Sequence, residues 1–243
     1  FMAPRTDANG MRPANRKTLL ALDQARMDAI AASSNRSTVD PEWQYEGPTG
    51  PTGLGGSGRL NRVVPRPGEA DEWWACAPAG GIWRTVDGGA HWTPMGTGQL
   101  TSIGVSDIAF HPENPEKMWI ATGDGDFGDT RSIGVWVSED GGGTWESTAL
   151  DWAPYMGRTL SRMLVNPDDP DTLLTASSVG VYRSTNGGAS WSLTLDGDIA
   201  SLEMDPSDPN NLLAGSFGNV SAESHDAGAT WSTQYLDGNS FGI

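Results

Sequence analysis

Between residues 60 and 236 the apolar positions fall in short runs, each broken by glycine, proline, asparagine or aspartate. Runs of that length between turn formers predict β-strands, since a helix needs a longer amphipathic stretch. They group in fours. The first group is Leu60–Val64, Trp73–Ala77, Ile82–Thr85 and Trp92–Pro94, and the second is Val105–Phe110, Met118–Thr122, Gly134–Ser138 and Trp145–Thr148. The third is Leu160–Val165, Leu173–Ser177, Val181–Ser184 and Trp191–Leu195, and the fourth is Ile199–Met204, Leu212–Ser216, Val220–Ser224 and Trp231–Leu236. One more strand, Trp43–Pro48, stands alone ahead of them. Residues 1–42 follow another period. Leu19, Leu20, Leu22, Met27 and Ile30 oppose Lys17, Asp23, Gln24, Arg26 and Asp28, which predicts an amphipathic helix over Lys17–Ala32.

Two motifs recur in step with the groups. Thr85-Val-Asp87-Gly-Gly-Ala-His91-Trp92 matches Ser138-Glu-Asp140-Gly-Gly-Gly-Thr144-Trp145, Ser184-Thr-Asn186-Gly-Gly-Ala-Ser190-Trp191 and Ser224-His-Asp226-Ala-Gly-Ala-Thr230-Trp231. The tryptophans return at intervals of 53, 46 and 40 residues, close to the roughly 40–50 residues of one four-stranded propeller blade. The second motif, Phe110-His-Pro-Glu-Asn-Pro, returns as Val165-Asn-Pro-Asp-Asp-Pro and Met204-Asp-Pro-Ser-Asp-Pro, each between two apolar strands. The pattern predicts an all-β fold: a β-propeller of four-stranded blades over residues 43–243, with about four blades present, behind an N-terminal helical arm over residues 1–42. Trp43–Pro48 reads as an outermost strand lent to a closing blade, because closure protects strand edges. The other strands of that blade are lacking, so the chain reads as part of a larger propeller.

In the first motif an Asp or Asn side chain accepts hydrogen bonds from the amides of its own turn, and glycines take the positive-φ positions. The tryptophan then packs between neighbouring sheets and supplies much of the apolar burial. Asp87, Asp140, Asn186 and Asp226 are therefore expected as turn staples, with Trp92, Trp145, Trp191 and Trp231 as the packing residues.

Composition sharpens this. The 243 residues include 32 Gly, 16 Pro and 11 Trp, a mixture suited to tight turns and strands rather than to a helical bundle. Lys and Arg total 15 against 31 Asp and Glu, for a formal charge of −16. Such a polyanion is repelled by phosphate backbones and anionic lipid, which argues against nucleic-acid partners. No apolar run is long enough to insert in a membrane as a helix. Cys76 is the single cysteine, so no internal disulfide forms.

The first motif is similar to the Asp box, or BNR repeat, of sialidases, xyloglucanases, sortilin-like domains and photosystem assembly propellers. The resemblance covers roughly residues 43–243. In those families the box lies in the turn between the third and outermost strands, away from the ligand-binding face. Residues 1–85 carry an arm, then Trp43-x-x-x-Gly-Pro-Thr, Gly-Gly-x-Gly-Arg59-Leu-Asn and Ala79-Gly-Gly-Ile-Trp-Arg-Thr. Together with the run from Ile120 to Gly134, this resembles large secreted propeller proteins of Bacteroidetes-type bacteria. That resemblance implies export by the type IX secretion system and a secreted or cell-surface location.

Candidate chemistry is sparse. His91, His111 and His225 all sit in turns without a nearby His or Cys, which argues against a zinc site or a His-based triad. Cys76 reads as a buried thiol. Glycosidases need two carboxylates. Xyloglucanases, by resemblance, carry a catalytic Asp just before a Gly-Gly-Ala-Tyr-Arg-like run. In Ala77-Pro78-Ala79-Gly80-Gly81-Ile82-Trp83-Arg84 that position is Pro78, and the Phe/Tyr-Arg-Ile-Pro motif of sialidases is absent. Asp124, Asp126 and Asp129 alternate on a glycine-rich loop and are the candidate ligands of a Ca²⁺ ion, the sole cofactor considered; the competing reading is a solvated acidic loop beside Arg131. Trp152, Tyr155 and Arg158, with Arg131, are the candidate ligand contacts, expected as exposed aromatics beside arginine on the face opposite the repeat turns.

These readings lean against an enzyme. They describe a secreted or surface propeller that binds a protein or glycan, with secretion-system or cell-surface components as further candidate partners. One alternative is a glycoside hydrolase using Asp107 and Asp124, and another is a structural repeat block of a large surface or filament protein.

Overall fold

Each of the four strand groups forms one antiparallel sheet whose strands follow chain order. Blade one contains β1 (Arg62–Pro65), β2 (Trp73–Ala77), β3 (Gly81–Thr85) and β4 (Thr93–Pro94), and blade two β5 (Val105–Phe110), β6 (Met118–Thr122), β7 (Gly134–Ser138) and β8 (Glu146–Asp151). Blade three contains β9 (Leu160–Val165), β10 (Leu173–Ser177), β11 (Gly180–Ser184) and β12 (Ser192–Asp196), and blade four β13 (Ile199–Met204), β14 (Leu212–Ser216), β15 (Val220–Ser224) and β16 (Ser232–Tyr235). The computed structural model describes residues 59–126, 128, 130–216 and 220–235. The expected helix over Lys17–Ala32, the strand Trp43–Pro48 and the boundary at residue 42 lie outside the described residues.

The cores lie between blades. Trp74, Cys76 and Ile82 of blade one pack with Ile108, Met118 and Ile120 of blade two. Trp119 and Val135 of blade two meet Leu160, Met163 and Leu173 of blade three, and Leu174, Val181 and Leu195 of blade three meet Leu202, Leu212 and Ala214 of blade four. The first strands β5, β9 and β13 also pack side by side. This is the arrangement of a propeller, in which each sheet buries its faces on its neighbours. The four described blades form part of one.

Both repeated turns lie at the same end of each blade, and they are bonded to each other. The N–H of Gly88, Gly141, Gly187 and Ala227 donates to the carbonyl of Asp71, Glu116, Asp171 and Asn210 respectively, at 2.9–3.0 Å. The two motifs recur in step because each half of the pair satisfies a backbone group of the other. Within each Asp-bearing turn the carboxylate accepts from the backbone N–H four residues on: His91 to Asp87 at 2.9 Å, and Thr144 to Asp140 and Thr230 to Asp226 at 2.8 Å. Asn186 does the same with its amide oxygen toward Ser190 N–H.

The backbone bonds at Asp87 and Asp140, and at Asp226 first the Thr230 hydroxyl and then its N–H, hold these carboxyl pKa values at about 2, below the ordinary 3.8. A carboxyl depressed on folding binds fewer protons folded than unfolded, so its contribution is full above about pH 4 and is lost as pH falls toward 2. Asn186 shows that the turn also forms without an ionisable group. The variant Asp87→Asn/Asp140→Asn/Asp226→Asn is therefore expected to show a flatter melting-temperature profile than the wild type over that window. Parallel profiles would contradict it.

The outermost strands begin one residue later than the pattern predicts, after the tryptophan rather than at it, because the tryptophan closes its turn, and Trp145, Trp191 and Trp231 lie against the preceding blade. Trp191 Nε1 donates to Thr148 Oγ1 of blade two at 3.2 Å, and Trp231 Nε1 to Thr194 Oγ1 of blade three at 3.1 Å. Each acceptor lies three residues beyond its own blade's tryptophan. Blade one has Met95 at that position, and the buried Trp145 Nε1 finds no acceptor among the described residues. Burial also differs between copies: Trp145 is 4% exposed, whereas Trp92, Trp191 and Trp231 are half-buried.

Candidate functional site

The innermost strands share an irregularity that shapes their surface. In β5, Val105 pairs with Thr122 and Asp107 with Ala121, so Ser106 is an extra residue. Ser161 is extra in β9 and Ala200 in β13, at the matching places. A bulge bends its strand and re-aims the next side chain. The three bulge residues line a polar pocket of about 180 Å³ together with Arg62, Arg162 and Glu203.

The residues just after the first two bulges face each other across blades. Arg162 Nη1 donates to Asp107 Oδ2 at 2.8 Å, and Arg62 Nε lies 3.1 Å from Oδ1. Ile108 N–H donates to Oδ1 at 2.9 Å and Met163 N–H to Oδ2 at 3.0 Å. Arg162 continues to Glu203 with a fork of bonds at 2.7–3.1 Å. An alternating chain, Arg62–Asp107–Arg162–Glu203, thus crosses blades one to four. Asp107 is 0% exposed. Burial pushes its carboxyl upward, against the pull of Arg162, Arg62 and the Met163 amide. Oδ2 accepts from Arg162 and the Met163 N–H, while Oδ1 accepts from the Ile108 N–H and lies in ion-pair contact with Arg62. Asp107 therefore ties blades one, two and three together and is fully buried among those partners, where an acid or base acting on a substrate needs access.

Asp124 is also fully buried. Arg59 grips it with two bonds, Nη2 to Oδ2 at 2.5 Å and Nη1 to Oδ1 at 3.1 Å, and Asp126 N–H caps Oδ1 at 3.3 Å. The same guanidinium lies 3.5 Å from the exposed Asp126. A buried carboxylate neutralised by arginine is a poor cation ligand, and it also lacks the access that catalysis requires. Among the described residues no group of three His, Cys, Asp or Glu side chains is placed to hold a metal; Asp129 lies outside them. Arg131 is directed elsewhere, donating to Gly157 O at 3.3 Å and so bracing the loop between blades two and three.

That loop corrects a second expectation. Trp152 is 5% exposed and packs edge-on to Tyr182 at 5.7 Å, with Arg158 lying over its ring at 5.2 Å. Its indole is core, because the apolar ring fills the space between blades two and three beside Leu150 and Leu160. Tyr155, on the short 3₁₀ turn Pro154–Met156, is 87% exposed. The loop is fixed at its base by Trp152, by Arg131, and by Ser132 N–H donating to Arg158 O at 3.0 Å. It holds one aromatic ring in solvent.

The remaining candidates stay in their turns. His91 Nδ1 lies 2.7 Å from Asp87 Oδ2, His111 Nδ1 accepts from Glu113 and Asn114 N–H, and His225 Nδ1 lies 2.7 Å from Asn211 Oδ1. Burial pushes the Cys76 thiol well above its ordinary value, which leaves it inert. Pro78 lies in the β2–β3 turn, where its carbonyl accepts from Thr130 Oγ1 at 2.5 Å. Arg59, Arg62, Arg162 and Glu203 were not legible as site residues one strand at a time. Aligning the second motif exposes part of the signal: Asp107 stands three residues before Phe110 and Arg162 three before Val165, opposite charges at one position of adjacent blades.

Fold and site together define a β-propeller built on inter-blade cores and a charged inner seam. The family described as Sortilin-Vps10 (sortilin, neurotensin receptor 3) matches residues 80–201, and the chain belongs to that family. A Paenibacillus xyloglucanase is 28% identical over 182 residues, covering 68% of this chain and 18% of the relative. A xyloglucanase of Acetivibrio thermocellus is 30% identical over 149 residues, covering 57% of this chain and 18% of the relative. The solved GH74 enzyme of Niastella koreensis superposes with a TM-score of 0.57 at 21% identity, over 74% of this chain and 30% of that one, a likeness of fold. The chain spans about a fifth of the length of the curated relatives it matches. These relatives overturn the expectation of a non-enzymatic binding module. Proteins that align with most of the chain are named as xyloglucan hydrolases.

Proposed function

We propose that these blades are part of a glycoside hydrolase propeller acting on xyloglucan. The observation that carries this reading is the alignment with named xyloglucanases over 57–68% of the chain at 28–30% identity. The repeat turns support the Asp-box assignment within it, since all four share one hydrogen-bond pattern. The acid and base come from parts of the propeller other than Asp107, Asp124 and the position of Pro78. What this chain contributes is the frame and a glucan-facing platform. A tyrosine ring held in solvent stacks on the C–H face of a sugar, and Tyr155 is placed for that role. A polymeric substrate places the protein outside the cytoplasm, secreted or at the cell surface.

The test is hydrolysis. The protein carrying these blades should release reducing ends from xyloglucan. Tyr155→Ala should raise KM about tenfold with kcat nearly unchanged, the mark of lost substrate binding rather than lost chemistry. Intact xyloglucan after prolonged incubation would refute the reading, and a Tyr155→Ala variant with wild-type KM would remove the platform from it.

A further inference from the structure

Where the chain crosses from blade two to blade three, two aromatic rings pack together; at the crossing from blade three to blade four, both are replaced. Strands β8 and β12 end alike, in Leu150-Asp151 and Leu195-Asp196, with Asp151 opposite Gly134 and Asp196 opposite Gly180. The next residue is Trp152 in one crossing and Gly197 in the other. Trp152 turns inward beside Leu150 and Leu160, edge-on to Tyr182, the third residue of β11. That third-strand position is Trp83 in blade one, Trp136 in blade two and Tyr182 in blade three, but Ala222 in blade four. The two members of the ring pair are thus reduced together, one to no side chain and the other to a methyl group.

A pocket of about 240 Å³ stands at the second crossing. Its walls include Leu195, Ile199, Ala214 and Ala222, all buried, and Asp196 and Asp198 lie exposed at its edge. The chain passes from β12 to β13 through Gly197 and Asp198 alone, whereas the passage from β8 to β9 takes residues 152–159. Gly197 makes the short passage at φ 131°, a conformation that disfavours any side chain there. An aliphatic cavity of about 150 Å³ is enough to bind benzene, so this one admits a bicyclic ring of the size that Trp152 puts into its counterpart. We propose that the pocket is a binding site for a small aromatic amine. The ring enters between the aliphatic walls, and the cationic group stays at the edge beside Asp196 and Asp198. Burial of the ring supplies affinity, while the two carboxylates orient the ligand and select against anions. The chain's formal charge of −16 acts in the same direction. The inference rests on the comparison of two blade crossings and is independent of the hydrolase reading.

The test is a calorimetric titration of the 243-residue chain with two probes, tryptamine and indole-3-acetate, which carry the same ring and opposite charges. Tryptamine should bind saturably in the millimolar range or below and about tenfold more tightly than indole-3-acetate, and added salt should narrow that gap. Ala222→Tyr restores the ring that blade three carries at this position. It should abolish tryptamine binding while keeping the far-ultraviolet circular dichroism of the wild type. Asp196→Asn/Asp198→Asn alters exposed side chains only, and it should bring the two probes to within about twofold of each other. That variant keeps the proposal open to refutation should Ala222→Tyr fail to fold. Absence of saturable tryptamine binding would overturn the proposal, because the pocket would then be closed to a ring or already filled by this chain. Equal affinity for the two probes in the wild type would overturn it too, as would an Ala222→Tyr protein that folds and still binds tryptamine.

Discussion

Trp119→Ala is expected to destabilise the protein by about 3–5 kcal/mol, the range for deleting a fully buried aromatic side chain from a core that cannot collapse around the loss. Trp119 is 0% exposed and sits where three parts of the fold converge. Its ring joins the apolar core between blades two and three, its Nε1 ties the turn of blade three, and His111 stacks on it at 6.1 Å. The half-buried Trp191 should cost clearly less when truncated. Denaturant melts of the two variants decide the matter, and equal losses would mean that the inter-blade cores are misjudged.

Asp107→Ala should be similarly damaging for a different reason. Removing one partner of a buried pair leaves the other charge unpaired in a poorly solvated place, at about 3–5 kcal/mol. Here the group left behind is Arg162, whose side chain is 11% exposed, together with the unpaired amides of Ile108 and Met163. Asp107→Asn keeps the shape and some acceptor capacity and should be intermediate. A catalytic carboxylate would behave the opposite way, losing activity in Asp107→Asn with little change in stability. A loss under about 1 kcal/mol for Asp107→Ala would remove the buried-seam interpretation.

Most strands were legible because each depends on local rules. The run from Met118 to Thr122 is apolar and ends in Gly123, and the run from Leu173 to Ser177 repeats it, so both were bounded by their own residues. The Asp-Gly-Gly turns were legible for the same reason. What escaped was whatever depends on two blades at once. Trp152 in isolation is an aromatic beside Tyr155 and Arg158 in a loop; only the sheet of blade three, with Tyr182 on it, turns the ring inward. Asp124 looked like a cation ligand because its partner Arg59 lies 65 residues away in sequence, near the start of blade one. Asp107 was considered for its acidity, and its role came from Arg162, brought within reach by bulges that the hydrophobic pattern does not encode. The functional class was read from the same local motifs and leaned the wrong way. An Asp box staples a turn whatever the propeller does, and Pro78 speaks only to one catalytic position.

The most direct test of the account is whether a repeat turn is energetically part of the blade before it. Thr148 belongs to blade two and Trp191 to the turn of blade three, and the bond between them is 3.2 Å. A double-mutant cycle with Thr148→Val and Trp191→Phe, read by urea denaturation, isolates their coupling from the effect of each change alone. The account predicts a coupling of about 0.5–1.5 kcal/mol, the net worth of one hydrogen bond across the blade boundary. Losses that add to within about 0.3 kcal/mol would show that the turn staples only its own hairpin, and would contradict the account.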